Sequence, residues 1–107
     1  MNNMPPKLRK EMSEDPFYSK CLRCKEGECG GRITWEHCWT YKKRQIQEKW
    51  AIIPLCWWHH LGAGLNKNMN RWFSINRMTE ADEKKYNRKN WKTDRKYLNS
   101  LFKNYLK

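Results

Sequence analysis

The sequence predicts a small α+β fold. Three features predict it: an alternating segment of β-branched and aromatic residues at 32–41, an apolar segment at 51–56 punctuated by Pro54, and polar stretches with helical periodicity after residue 57. At 107 residues the chain fits a single domain. A domain of that size buries little apolar surface, and here 38% of residues are hydrophobic and 32% charged. The seven tryptophans therefore have to supply much of the core, and a staple of some kind is expected to complete it.

Taken in order, residues 1–20 are polar, carry Pro5, Pro6 and Pro16, and read as a flexible N-terminal arm with a short helical turn around 7–12. The run CLRCKEGECGG at 21–31 has the cysteines and glycines of a knuckle-like turn folded around an ion. Residues 32–41, RITWEHCWTY, follow as a strand with Ile33, Trp35, His37 and Trp39 on one face. A polar connection at 42–50 leads to a second strand in AIIPLC, where Pro54 requires an edge or a strand end. A helix is expected from about residue 57, broken near Gly62 and Gly64. Thr79 with Asp82 three residues on has the form of an N-cap. One or two helices with an aromatic and aliphatic stripe (Tyr86, Trp91, Tyr97, Leu98, Leu101, Phe102, Tyr105) then end the chain. The organisation expected is an arm at 1–20, a core at 21–78 and a basic helical tail packed on it at 79–107.

Lys and Arg number 23 against 11 Asp and Glu, a formal charge of +12, which makes a polyanion the default partner. No apolar run approaches a membrane span, and the N-terminal residues lack the apolar region of a secretory signal, so the expected location is the cytoplasm. In a reducing compartment the five cysteines read as ligands or free thiols.

Cys21 and Cys24 form a C-x-x-C, and Cys56 with His59 forms a C-x-x-H far downstream, together a Cys3His set at structural zinc spacing. Cys29 could replace Cys21 or Cys24; the preferred reading leaves it as a spare thiol. Cys38 is expected to be a packed thiol on the side of the strand opposite His37.

Beyond the staple stand Glu36-His37 on the first strand and His60 directly after the last ligand. Bringing Cys56 against Cys21 packs the helix carrying His60 near the strand carrying Glu36 and His37. Phosphodiester hydrolysis needs an activated water and a cation to stabilise charge on the phosphate. His37 suits the general base, since imidazole exchanges protons near neutral pH, and His60 with Glu36 suits a catalytic Mg2+ or Mn2+.

C-x-x-C, then a strand ending in Glu36-His37, then L-C-x-x-H-H at 55–60, resembles the HNH, or His-Me finger, endonucleases, in particular their zinc-containing, endonuclease VII-like phage members. The resemblance covers about residues 21–75. It implies a ββα-metal core stapled by Zn2+, with the general base on His37, an acidic metal ligand at Glu36 and a further catalytic metal ligand at His60. Two positions depart from the family pattern: His59 replaces a cysteine, an equivalent zinc ligand, and Ala51 stands where the family has an asparagine that helps hold the base histidine. Gln45, Gln47, Asn66, Asn68 and Asn70 are candidates to take over that task.

From residue 84 to 107 there are nine Lys or Arg and one acidic residue. Lys84, Lys85, Arg88, Lys89, Lys92, Arg95 and Lys96, with Lys42, Lys43 and Arg44, are expected to follow a DNA backbone through its phosphates. The expectation is a metal-dependent DNA endonuclease from a bacterial or phage-infected cytosol, acting as monomer or homodimer and possessing a branched-DNA or junction preference if the endonuclease VII likeness extends that far. The alternative is a zinc-dependent nucleic-acid-binding module without catalysis, for which Ala51 speaks. An interaction protein using exposed tryptophans is a third reading.

Overall fold

The structure is a computed structural model and describes residues 4–62, 66–87 and 90–105. The fold is α+β, as the sequence predicts. Helix α1 (Pro6–Ser13) opens the chain, followed by a short 3-10 turn at Pro16–Ser19 and another at Cys24–Glu26. Strand β1 (Ile33–His37) pairs antiparallel with β4 (Ile52–Cys56), matching Ile33 to Cys56 and His37 to Ile52. Between them β2 (Thr40–Tyr41) and β3 (Arg44–Gln45) form a separate hairpin. Its turn residues Lys42 and Lys43 both have positive φ, 51° and 67°, the type I′ geometry that matches strand twist but that lysine adopts at a cost.

β1 ends earlier than the alternation suggests. Cys38 N–H donates to the Ala51 carbonyl, and the Trp39 carbonyl accepts from Ile46 N–H, so Trp39 has already joined the hairpin. The expected single stripe is thereby divided. Trp35 packs edge-on to Tyr18 at 6.3 Å, whereas Trp39 packs edge-on to Trp91 at 5.0 Å in the main core. Pro54 sits in a two-stranded sheet, where each strand is an edge, as its ring requires.

A one-turn π-helical segment, Trp58–Gly62, follows β4, then α2 (Lys67–Ile75), α3 (Glu80–Lys85) and α4 (Trp91–Phe102). The expected break near the glycines falls partly at Gly64, outside the described residues. α3 starts with the anticipated cap: Thr79 accepts from Asp82 N–H while the Asp82 carboxylate accepts from Thr79 N–H. Trp72 Nε1 donates to Asn99 and Ser74 donates to the Trp50 carbonyl, fastening α2 to α4 and to the turn before β4. The main core is aromatic, built on Trp39, Trp50, Trp72 and Trp91 with Ile53, Leu55 and Ile75. Trp91 and Leu98 of the expected tail stripe are buried, but Tyr97 and Leu101 face solvent.

The N-terminal segment is a correction. Residues 4–20 are not a loose arm: Leu8 and Met12, one helical turn apart, and Tyr18 are buried with Ile52 in a second core on the other side of the sheet. Arg77 and the Lys49 carbonyl meet the Tyr18 hydroxyl, tying that segment down. Met12 is fully buried, so Met12→Ala should lower unfolding free energy by about 2–5 kcal/mol in urea titrations, whereas Glu11→Ala on the exposed face should change it by less than about 0.5 kcal/mol.

Candidate metal centre and polar cluster

The donor atoms of Cys21, Cys29, Cys56 and His59 lie within 4.8 Å of one another. His59 Nδ1 is 3.4 Å from the Cys21 sulfur, 3.7 Å from Cys29 and 3.3 Å from Cys56. Around a tetrahedral cation with Zn–S near 2.3 Å and Zn–N near 2.0 Å, sulfur and nitrogen would stand about 3.5 Å apart, so the set has the dimensions of a Cys3His site. These residues can hold a metal ion.

Membership of the set corrects the sequence reading at one position, since Cys29 takes the place assigned to Cys24. The reason is local backbone. The 3-10 turn at Cys24–Glu26 leaves Cys24 outside the four-donor set, and Gly27 and Glu28, with φ of 75° and 59°, reverse the chain and bring Cys29, likewise exposed, into it. Cys24 stays at the rim as a hydrogen-bonding neighbour of Cys29. Arg23, nearly buried, holds the turn by gripping Glu26 with two hydrogen bonds of 2.7 Å and donating to the His59 carbonyl. Tyr105 also donates to Glu26, so the end of the helical tail is joined to this loop. The signal that could have identified Cys29 was Gly27, a residue suited to the left-handed turn.

The thiols are electrostatically unequal. Burial and the neighbouring Cys21 push Cys29 up to about 12, and burial likewise raises Cys21. Burial also acts to raise Cys56, but hydrogen bonds from the backbone of His59 and Gly30 and from Cys21 and Cys29 outweigh it and bring Cys56 down to about 6. Cys38 lies apart from the cluster as a buried thiol raised by burial, in keeping with a packing role.

Next to His59, His60 reaches a different set of partners. Its Nε2 meets the Glu36 carboxylate, and its Nδ1 lies 2.6 Å from Thr34 Oγ1. Thr34 donates its own proton to the Leu55 carbonyl at 2.9 Å, so its oxygen accepts from His60 Nδ1–H. Nε2 is left facing an acceptor, an arrangement satisfied by a second proton or by a cation shared between imidazole and carboxylate. Glu36 and His60 thus come together as expected.

His37 stands differently. As the next residue of β1 it turns away from Glu36, and its Nε2 lies 2.9 Å from Gln47 Oε1. An amide oxygen only accepts, so Nε2 donates this hydrogen bond, and in the neutral ring Nδ1 is the acceptor. Nδ1 is buried and without a partner among the described residues. His37 and Glu36 share the wall of one cleft, but among the described residues His37 makes no hydrogen bond to the Glu36–His60 pair, so the three side chains are joined less closely than the sequence suggests. Of the candidates to replace the missing asparagine, Gln47 is the one hydrogen-bonded to His37 among the described residues. Asn66 instead caps α2, its side chain accepting from Met69 N–H, and Ala51 is fully buried.

The basic residues come from the hairpin and from the C-terminal helices. Lys42, Lys43 and Arg44 are exposed on the hairpin, and Lys84, Lys92 and Lys96 on α3 and α4. Lys85 pairs with Glu48 at 2.9 Å and Arg95 with Glu83 at 3.7 Å, which neutralises part of the expected track. Arg88 and Lys89 lie outside the described residues. No helix among the described residues is long and apolar enough to cross a membrane. No protein family, curated protein or solved structure matches the chain.

Cys29→Ser should abolish retention of bound metal by the purified protein while Cys24→Ser keeps it, as read by elemental analysis after gel filtration. Equal retention by the two variants would return the ligand role to Cys24 or spread it over both thiols.

Proposed function

We propose that this chain is a metal-dependent DNA endonuclease of the HNH type, with a ββα-metal core formed by β1, β4 and the helical turn that follows, stapled by Zn2+ on Cys21, Cys29, Cys56 and His59. The observation that carries the reading is the Thr34–His60–Glu36 chain near a histidine held at Nε2 by Gln47, its Nδ1 without a partner among the described residues. An oriented imidazole and a carboxylate form a divalent-cation site with positions left open for substrate, and the second histidine is prepared to take a proton.

In this mechanism Gln47 fixes the ring of His37. With a water admitted beside the buried Nδ1, that nitrogen accepts the proton the water loses as its oxygen bonds to phosphorus. The P–O bond to the leaving group then breaks, and the departing oxygen takes a proton from solvent. Mg2+ or Mn2+ held by Glu36 and His60 would stabilise negative charge on the phosphate and on the leaving oxygen. Thr34 keeps His60 turned toward Glu36 by accepting from Nδ1–H. The charge of +12 brings DNA to the surface without reading its sequence.

Buried Ala51 favours a second reading, a zinc-dependent nucleic-acid-binding module without catalysis, because the family asparagine has no counterpart at that position. Nicking of supercoiled plasmid in Mg2+ or Mn2+ separates the two. The nuclease reading expects the wild type to nick, His37→Ala to lose roughly 10^2–10^4-fold in rate, and both proteins to retain zinc. Plasmid retained on the protein with no nicking would establish the binding module instead.

Gln47→Ala tests the positioning of the base separately. It should lower the nicking rate while leaving plasmid affinity unchanged, and Gln47→Glu, which keeps an acceptor at Nε2, should restore part of the rate. A loss of affinity matching the loss of rate would remove Gln47 from this role.

A further inference from the structure

A cleft of about 200 Å³ opens between the end of β1 and helix α2, walled on one side by Glu36 and His37 and on the other by Lys67, Asn70 and Arg71. The last three sit at i, i+3 and i+4 and so share one face of α2, within its first turns. Asn70 is only 2% exposed, and both its amide nitrogen and its amide oxygen lack a partner among the described residues. Leaving a buried amide unpaired is unfavourable, and protein folds seldom keep one without a use for it.

Arg71, on the exposed side of the same face, is held in place at both ends of its functional group. Its Nε donates to the Cys38 carbonyl at 3.3 Å, and its guanidinium carbon lies 4.9 Å from the centre of the Trp39 ring. The terminal guanidinium nitrogens make no hydrogen bond among the described residues, and the guanidinium stays over the Trp39 ring. The N-terminal end of α2 adds a partial positive charge, and Lys67 a full one.

We infer that Lys67, Asn70 and Arg71 bind a backbone phosphate of the nucleic acid, with the Asn70 amide nitrogen and the Arg71 fork donating to its oxygens. The assignment of the ligand as a nucleic-acid phosphate rests on the proposed nuclease reading; the donor set by itself specifies an oxyanion. Because Glu36 and His37 form the opposite wall, the phosphate gripped here belongs to the strand being cut, at or beside the scissile position. The Glu36 carboxylate on that wall is turned to His60.

The test measures binding of a fluorescein-labelled DNA duplex by anisotropy across a salt series, without added Mg2+ or Mn2+ so that no cleavage occurs, together with the melting temperature of each variant. Arg71→Ala should weaken binding roughly tenfold and reduce the slope of log affinity against log salt by about 0.9, the signature of one lost phosphate contact. Asn70→Leu discriminates further: removing a purely structural amide would lower the melting temperature and leave affinity unchanged, whereas removing an unpaired amide kept for a ligand should maintain or raise the melting temperature and weaken binding about tenfold. Competition by inorganic phosphate should be lost in Arg71→Ala. An unchanged salt slope in Arg71→Ala, or Asn70→Leu with full affinity, overturns the inference, as does a wild type that binds no duplex. A wild type that binds with the expected slope changes yet never nicks plasmid leaves the phosphate grip standing and removes the nuclease reading.

Discussion

Everything near the two candidate sites hangs on the closing of the Cys21–Cys29 loop against the end of β4. Cys56 is the last residue of that strand and His59 lies within the turn after it, so drawing their donor atoms to Cys21 and Cys29 fixes where β4 ends and where the following turn begins. His60 is the next residue. Its contact with Glu36 and Thr34 on β1 therefore follows from the position of its neighbour, and the β1–β4 register supplies the other half of the alignment. A metal on the four donors would cross-link chain segments far apart in sequence, and its binding energy would count directly as folding energy. The glycines beside the loop serve the same closure: a Cβ on Gly31 would come 2.7 Å from that of Trp57, so only glycine lets the loop lie against the start of the helical turn.

The sheet has two cores because β1 is a short strand with material on both faces. Trp35 belongs to the cluster under α1, while Trp39, only four residues later, belongs to the aromatic core under α2 and α4. The bend at Cys38 that achieves this also places Glu36 and His37 at the rim, where the strand stops and the cleft begins. Position at a strand end lets adjacent residues of opposite orientation line one opening, which mid-strand neighbours cannot do.

Much of this was legible in the residues. Alternation marked β1, the Pro54-bearing apolar run marked β4, and Thr79 with Asp82 marked the start of α3, because each depends on local chemistry that a short window contains. The Glu36–His60 pair was legible for the same reason that it is close: the spacing of Cys56, His59 and His60 couples it to the cluster. Other features depend on contacts across the chain. Nothing near Leu8 and Met12 announces that Ile52 will cover them, and the exchange of Cys24 for Cys29 turns on left-handed backbone at Gly27 and Glu28, of which only the glycine carries a signal. Gln47 and Asn70 were two candidates among several, since choosing between them requires knowing which side chain the hairpin and α2 bring to the strand end.

The hairpin turn places Lys42 and Lys43 in left-handed backbone that lysine disfavours and that asparagine and glycine adopt readily. At this point of the surface, folding stability and positive charge pull the sequence in opposite directions. A library selected for heat resistance alone would be drawn toward the Asn-Gly pair and would shed two cations in the process, whereas one selected for retention on a polyanion would keep the lysines and their strain. The turn is thus a place where laboratory evolution under either pressure would report which of the two the natural sequence has served.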